Sequence, residues 1–136
     1  MRQRKAFWPA LALLLGLVLT LAGAPGARAE NGSGKVYVLR IDNGQAIDPG
    51  LAQFADRVFD EAGADPDAVA IAVVLDTPGG YVESAARIKD RLLHPPNGLK
   101  TIAYVENDAV SAGALIATAA EYLYMHPGAV IGAAEP

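Results

Sequence analysis

Residues 68–75 of the 136-residue chain read Ala-Val-Ala-Ile-Ala-Val-Val-Leu, an apolar run with the length of one strand. The turn sequence Asp76-Thr77-Pro78-Gly79-Gly80 follows at once, and in residues 81–93 apolar side chains recur at helical spacing. In a chain that alternates strands with amphipathic helices, such an uninterrupted run is typical of a strand buried on both faces of a parallel sheet. This stretch therefore predicts one strand-turn-helix unit of an α/β protein.

The same alternation continues on both sides of this stretch. Upstream, residues 35–41 predict a strand, and Asp48-Pro49 predicts the capped start of a helix that ends at Gly63. Downstream, we expect strands at residues 99–105 and 122–125, a helix at 112–120 and a further extended piece at 129–131. The order β-α-β-α-β-α-β predicts an α/β layered fold with parallel strands and right-handed crossover helices. In such sheets, sites lie beyond the carboxyl ends of the strands.

The N-terminus has the parts of a secretory signal peptide in the expected order. Residues 1–5 are basic, residues 6–23 are almost wholly apolar, and Ala27-Arg28-Ala29 matches a small-x-small cleavage pattern. We expect a signal peptide at 1–29; the alternative is an uncleaved N-terminal membrane anchor. In both cases the rest of the chain is expected at the extracytoplasmic face of the membrane, in the periplasm or at the cell surface. It comprises a flexible lead-in at 30–34 and one domain at 35–136.

Charge and composition exclude several classes of function. The signal segment holds four of the 11 basic residues, so the remaining domain has seven against 15 acidic ones, a net charge of −8. An acidic domain without a basic patch argues against nucleic-acid binding and against attraction to anionic lipid. Cysteine is absent, which excludes thiol catalysis, and no clustered His/Asp/Glu spacing supports a metal. We therefore predict no cofactor.

Two strand-to-helix turns carry the candidate site residues. Ser111 stands between the strand at 99–105 and the helix at 112–120, and Gly79 and Gly80 form the turn before the preceding helix. One turn can supply a nucleophile and the other can supply backbone N–H groups for an oxyanion. Each also has an ordinary explanation, because Pro-Gly-Gly is a common turn sequence and a serine before a helix is most often its cap.

The group that would activate the serine is not evident from the residues alone. Asp76 and Asp108 fit better as a turn residue and a helix-capping acid than as catalytic carboxylates. His94 ends a helix, where a cation is favoured, and His126 precedes a Pro-Gly turn, so neither has a recognisable catalytic setting, although spacing leaves a serine–histidine pair open. Lys100 begins a strand, at the end of the sheet opposite the expected site, and is a poor candidate for a base.

Three segments of the chain resemble one family. Leu-Asp-Thr-Pro-Gly-Gly at 75–80, Val-Ser-Ala-Gly-Ala at 110–114, and Met-His-Pro-Gly-Ala-Val-Ile-Gly-Ala-Ala-Glu-Pro at 125–136 are similar to the Clp-protease-like domain of the NfeD membrane serine proteases, within the ClpP/crotonase superfamily. The resemblance covers Lys35 to Pro136. It implies a ClpP/crotonase-like layered fold with parallel strands and crossover helices, here incomplete.

This resemblance also implies roles for particular residues. Ser111 matches the nucleophile of the family's Ser-Ala-Gly segment. The oxyanion donors match the backbone N–H of Ala112 and that of Gly79 or Gly80, with Gly80 favoured as the tighter point of approach. Catalysis would then be acyl transfer to the serine followed by hydrolysis, with the oxyanion held by these amides.

The family's general base is a lysine. True Clp proteases have a histidine just before the Gln-Pro that follows the third segment, and Ala134 occupies that position here, which favours the lysine version. No lysine follows Lys100. We therefore expect the chain to be a C-terminally truncated fragment whose base lysine lies beyond Pro136, and we expect this fragment to be inactive by itself.

The resemblance implies a serine endopeptidase that cleaves apolar segments of membrane-associated proteins, with a stomatin-like protein as substrate. Membrane association through the part that follows and self-association into a homo-oligomer are expected as well. A signal-peptide-peptidase-A-like protease is an alternative, but its serine segment tends toward Ser-Gly-Gly, whereas this chain has Ser111-Ala112-Gly113. The export signal argues against a third alternative, a crotonase that acts on acyl-thioesters, because coenzyme A thioesters are cytoplasmic. A catalytically inactive scaffold or binding module of the same fold is the alternative from another class.

Overall fold

The computed structural model describes residues 34–42 and 44–134; the predicted signal peptide and nearly all of the lead-in lie outside them. The elements run in chain order as β1 (Lys35–Ile41), α1 (Pro49–Ala64), β2 (Ala68–Thr77), α2 (Val82–Leu93), β3 (Lys100–Val110), α3 (Ala112–Ala117), β4 (Tyr122–Met125) and β5 (Val130–Gly132). A single 3-10 turn, Pro96–Gly98, precedes β3. Within the described ranges, no helix has the length and apolar character needed to cross a membrane.

The five strands form one parallel sheet in the order β1-β2-β3-β4, and β5 pairs with β3 as well. β4 lies beside residues 102–105 of β3, whereas β5 lies beside residues 108–110. The sequence predicts that this central strand ends at Val105. That boundary is wrong: β3 continues to Val110, since its last three residues find backbone partners in β5.

The helices cover one face of the sheet. Strand order follows chain order without a reversal, so right-handed crossovers place successive helices on the same side. Their apolar faces pack with alternate strand positions into one core, whose largest members include Leu39, Ile41, Phe59, Ile71, Val73, Leu75, Ile88, Leu92, Val105 and Ile116. The expectation that β2 is buried on both faces is therefore wrong. On its other face, Ala72 and Val74 are only half-buried, and Val38 of the neighbouring β1 is 55% exposed.

The start of α1 confirms the sequence-predicted cap. Asp48 is extended, and its Oδ1 accepts a hydrogen bond of 2.7 Å from the Leu51 N–H, while Pro49 occupies the first helical position. Ile47, directly before this cap, is fully buried. The helix start thereby fixes the loop after β1 against the carboxyl end of β2, which is where the candidate site lies.

Candidate active site

Ser111 has a backbone conformation that few non-glycine residues adopt. Its φ is 53° and its ψ is −116°, between the end of β3 and the first turn of α3. A side chain in such a sparsely populated region costs about 1–3 kcal/mol and persists only where the surroundings impose it. The Ser111 N–H donates a 2.8 Å hydrogen bond to the carbonyl oxygen of Gly132, which ties the residue to β5.

The Ser111 side chain does not cap α3, contrary to the ordinary explanation of this residue. The hydroxyl makes no capping hydrogen bond, and the φ of Ser111 is positive rather than in the extended region typical of an N-cap residue. No hydrogen bond from this hydroxyl to any residue within 34–42 and 44–134 is present, and the residue is half-buried. The hydroxyl is therefore available to react with a molecule from solvent.

Gly79 brings the first turn into contact with the serine. Its φ is 108°, and a Cβ at this position would lie 2.8 Å from the Val110 carbonyl oxygen, 3.0 Å from Ser111 Cβ and 3.2 Å from the Ala112 nitrogen. Only glycine permits both this φ and this approach. The two candidate turns, which are separated along the chain by α2 and β3, thus meet at one point beyond the carboxyl ends of β2 and β3.

The loop after β1 holds Gly80 from the other side. The Ile47 N–H donates to the Gly79 carbonyl oxygen (2.9 Å), and the Tyr81 N–H donates to the Ile47 carbonyl oxygen (2.8 Å), which forms a parallel bridge. A Cβ on Gly80 would lie 2.3 Å from the Ile47 oxygen, so a side chain cannot replace this hydrogen without moving the loop. Ile47 was not identified from the sequence, because an isolated isoleucine in a loop carries no pattern.

The backbone N–H groups around the serine differ in their partners. The Gly79 N–H donates to the Thr77 hydroxyl at 3.1 Å. The Gly80 N–H has no hydrogen-bond partner among the residues that the structure describes, and Gly80 is exposed. The Ala112 N–H belongs to the first turn of α3, where a helix offers no internal acceptor. Among the amides around the serine, those of Gly80 and Ala112 are therefore the ones without an acceptor in the described part of the chain.

The two aspartates lie in strands rather than in the positions predicted for them. Asp76 is inside β2, not in the turn, and its Oδ2 accepts a 3.1 Å hydrogen bond from the Asn107 amide. Asp108 is inside β3 opposite Val130 of β5, so it does not cap α3. Asp108 is in a strand because the end of β3 pairs with β5. Asp76 is in a strand because β2 continues to Thr77, which pairs with Ala109 of β3 after a register shift.

Neither of the histidines nor Lys100 is bonded to the serine. His94 follows α2, with its Nδ1 3.1 Å from the Asp90 carbonyl oxygen, and the His126 N–H donates to the Val105 carbonyl oxygen. Lys100 lies at the beginning of β3, as predicted, and its Nζ donates to the Tyr122 hydroxyl at 3.2 Å. That hydrogen bond, with the nearby Glu121 carboxylate, raises the pKa of Lys100, whereas a lysine acting as base needs a lowered pKa.

The described residues also contain no group of three or more histidine or acidic side chains arranged to hold a metal ion. The chemistry that the arrangement offers is that of a hydroxyl next to free backbone N–H donors. Such a site is suited to acyl transfer, in which the hydroxyl attacks a carbonyl and the amides bind the resulting oxyanion.

The parallel sheet and its crossover helices define the class of fold, which is ClpP-like. A point mutant of ClpP1 from Listeria monocytogenes has the same fold, with a TM-score of 0.55 and 21% sequence identity over 62% of this chain and 47% of that one. The family described as NfeD1b, N-terminal domain, matches residues 35–136. The chain belongs to this family.

Closer relatives agree with that assignment. Membrane protein NfeD1b of Bacillus subtilis (strain 168) is 39% identical over 127 residues, which are 90% of this chain and 27% of the relative. The 1510-N membrane-bound stomatin-specific protease superposes as a serine-to-alanine mutant with a TM-score of 0.66 at 33% identity, covering 76% of this chain and 49% of that one. Its lysine-to-alanine mutant in complex with a substrate peptide gives 0.65 at 34% identity, covering 76% and 46%. The chain thus spans about a quarter of the bacterial relative and about half of each solved protease chain.

Proposed function

We propose that the protein is a serine peptidase in which Ser111 is the nucleophile and a lysine is the general base. The observation that carries this proposal is the approach of Gly79 to Ser111, where a Cβ would stand 3.0 Å from the serine Cβ. The close approach places the Ser111 hydroxyl, which makes no hydrogen bond, beside the glycine turn. In that turn the Gly80 N–H has no partner within the described part of the chain. A hydroxyl and an unpaired amide at one end of the sheet support an acyl-transfer site there.

The reaction would proceed in two steps. Ser111 Oγ attacks the scissile carbonyl carbon while its proton passes to the lysine nitrogen, and the N–H groups of Gly80 and Ala112 bind the tetrahedral oxyanion. The amine then leaves with a proton from the lysine, which gives an acyl-enzyme that water hydrolyses. Each oxyanion donor of this kind contributes about 3–4 kcal/mol to transition-state stabilisation.

We place the base lysine in the part of the protein that follows Pro136. Residues 35–136 contain three lysines. The hydrogen bonds of Lys100 to Tyr122 and of Lys35 to Asp65 raise the pKa values of these two, which disfavours the neutral amine that a base requires. Lys89 lies in the second half of α2, whereas the Gly79-Gly80 turn precedes the first residue of that helix. A lysine-to-alanine mutant of the related protease exists in complex with a substrate peptide, which supports the importance of a lysine in that enzyme. On this basis residues 35–136 form the N-terminal part of the protease domain and are inactive without the rest.

The proposed substrate is an apolar segment of a membrane-associated protein, and a stomatin-like protein is the first to test. This rests on the membrane-bound, stomatin-specific relative and on the membrane protein of the same family. The proposal includes export of the domain by residues 1–29, as a signal peptide or an anchor, so that cleavage takes place at the extracytoplasmic face of the membrane.

The test is labelling of the full-length protein with a fluorophosphonate, which forms a covalent bond to an activated serine oxygen with loss of fluoride. We expect labelling at Ser111, none in Ser111→Ala, and peptide hydrolysis that falls about 10⁴-fold or more in that variant. A wild-type protein that folds, stays unlabelled and binds the peptide without cleaving it would favour the inactive binding module instead.

A further inference from the structure

Thr77 is a fully buried polar residue at the last position of β2, in a strand that is otherwise apolar up to Asp76. A buried hydroxyl is costly unless it is hydrogen-bonded, so its partners show what it holds. Thr77 Oγ1 donates a 2.6 Å hydrogen bond to the carbonyl oxygen of Gln45 and accepts a 3.1 Å hydrogen bond from the Gly79 N–H. One hydroxyl therefore links the loop after β1 to the glycine turn.

The methyl group of the same side chain touches the serine's helix. A Cβ on Gly113 of α3 would lie 2.8 Å from Thr77 Cγ2, so glycine at that position lets the helix rest on the threonine. Thr77 thereby contacts three segments of the site: the loop that carries Ile47, the turn of Gly79 and the helix that follows Ser111. All three meet on a side chain that is fully buried from solvent.

The hydrogen bond to Thr77 also helps to fix the direction of the free glycine amide. The Thr77 hydroxyl holds the Gly79 N–H, and the Gly79 carbonyl, which shares a peptide plane with the Gly80 N–H, accepts from the Ile47 N–H. The Gly80 N–H has no partner among the described residues and points opposite to the Gly79 carbonyl, in a direction that these two hydrogen bonds set. Loss of the Thr77 hydrogen bond would release the Pro78–Gly79 peptide and let the Gly80 amide change its direction relative to Ser111.

We propose that Thr77 is a positioning residue for the oxyanion site, fixing the glycine turn so that the Gly80 N–H faces the carbonyl attacked by Ser111. This inference rests on the proposed peptidase function. Donor placement is critical in such sites, because a displacement of about 1 Å can cost about 100-fold in rate. The hydrogen bonds of Thr77 go to Gln45 and Gly79 and not to Ser111.

The chain offers a matched control for a test by mutation. Thr101 is also buried, at 2% exposure, and its hydroxyl also bonds two backbone groups, the Leu92 carbonyl oxygen at 3.3 Å and the Glu121 N–H at 2.9 Å. It lies near the beginning of β3, at the opposite end of the sheet from the site. Thr77→Val and Thr101→Val thus remove the same hydroxyl in similar surroundings but at different distances from Ser111.

In the full-length protein, we expect Thr77→Val to lower kcat about 10-fold to 100-fold with KM changed less than about twofold. Thr101→Val should lower the melting temperature by a similar amount and leave kcat unchanged, and Thr77→Ser, which keeps the hydroxyl, should restore most of kcat. The inference is wrong if Thr77→Val keeps its kcat, or if the two valine variants lose kcat in the same proportion.

A second measurement tests the geometry on the wild-type protein, so the proposal can still be tested if Thr77→Val fails to fold. Hydrogen exchange resolved to single amides should show the Gly79 N–H exchanging at least about tenfold more slowly than the Gly80 N–H. Equal exchange rates would overturn the assignment. This result does not depend on turnover, whereas failure of the peptidase proposal would appear separately as an unlabelled Ser111.

Discussion

Gly79 and Ser111 belong to different crossover units, yet a methyl group on Gly79 would lie 3.0 Å from the serine Cβ and 2.8 Å from the Val110 carbonyl oxygen. The 2.8 Å contact is one that real Cβ atoms essentially never show, the 3.0 Å contact is tighter than most of them make, and the backbone oxygen of Val110 cannot rotate away. The two turns are therefore held at a separation that leaves room for a hydrogen on Gly79 and for nothing larger. This relationship makes the glycine a sensitive position for both stability and activity.

Replacing Gly79 with alanine should lower both the stability and the activity of the protein. The φ of 108° is strained for alanine, and the added methyl clashes with Val110, so we expect the free energy of unfolding to fall by about 2–4 kcal/mol. Gly128→Ala is the control, because Gly128 has a φ of 95° and no atom within 4 Å of the position that its Cβ would occupy, and it should cost only about 1–2 kcal/mol. Chemical denaturation measures both losses. Equal losses would show that the close approach contributes nothing.

We predict that the backbone conformation of Ser111 lowers the stability of the fold. Its φ of 53° and ψ of −116° are readily adopted by glycine, so Ser111→Gly relieves about 1–3 kcal/mol of strain against an entropic cost of about 0.5–1 kcal/mol. We expect Ser111→Gly to be more stable than Ser111→Ala by about 1 kcal/mol, with both variants inactive toward a fluorophosphonate. Thermal and chemical denaturation of the two variants provide the comparison. A less stable glycine variant would mean that the backbone at Ser111 is unstrained.

The sequence predicts much of the fold and the identity of the two turns, and physical reasons explain what it misses. The Asp48-Pro49 cap and the βα alternation are local patterns and are confirmed by the structure. The extension of β3 to Val110 depends on pairing with β5, a non-local partner that no local pattern reveals. The sequence analysis does not identify Thr77, although a local pattern indicates it. A hydroxyl residue at the end of a buried apolar strand needs hydrogen-bond partners for its oxygen.

The amino end of the sheet should show an acid-sensitive contribution to stability. Asp65 accepts hydrogen bonds from Lys35 Nζ at 2.9 Å, from the Asp67 N–H at 2.9 Å and from the Tyr37 hydroxyl at 3.0 Å, and the hydrogen bond from Lys35 is the main reason its pKa is lowered. A lowered pKa in the folded state stabilises the fold above the unfolded-state pKa of about 4, and this stabilisation is lost as the pH falls through the folded-state pKa.

Asp65→Asn should therefore melt below the wild type at pH 7, and the difference should shrink as the pH falls below about 4. Melting curves of both proteins between about pH 7 and about pH 2 measure it. A difference in melting temperature that stays constant over this whole range would show that the Asp65 charge is not responsible.

Lys100 is the last lysine of the chain, and its removal tests where the base lies. Its Nζ is held by the Tyr122 hydroxyl and lies 3.5 Å from Glu121, at the beginning of β3, whereas Ser111 follows the end of the same strand. Those contacts raise the pKa of Lys100, so it stays charged at neutral pH and cannot accept the serine proton. We expect Lys100→Met in the full-length protein to retain wild-type kcat and its pH profile, with Ser111→Ala as the inactive reference. If Lys100→Met instead lost labelling at Ser111 while keeping its fold, the base would lie within this chain, and the lysine that we place after Pro136 would not be needed.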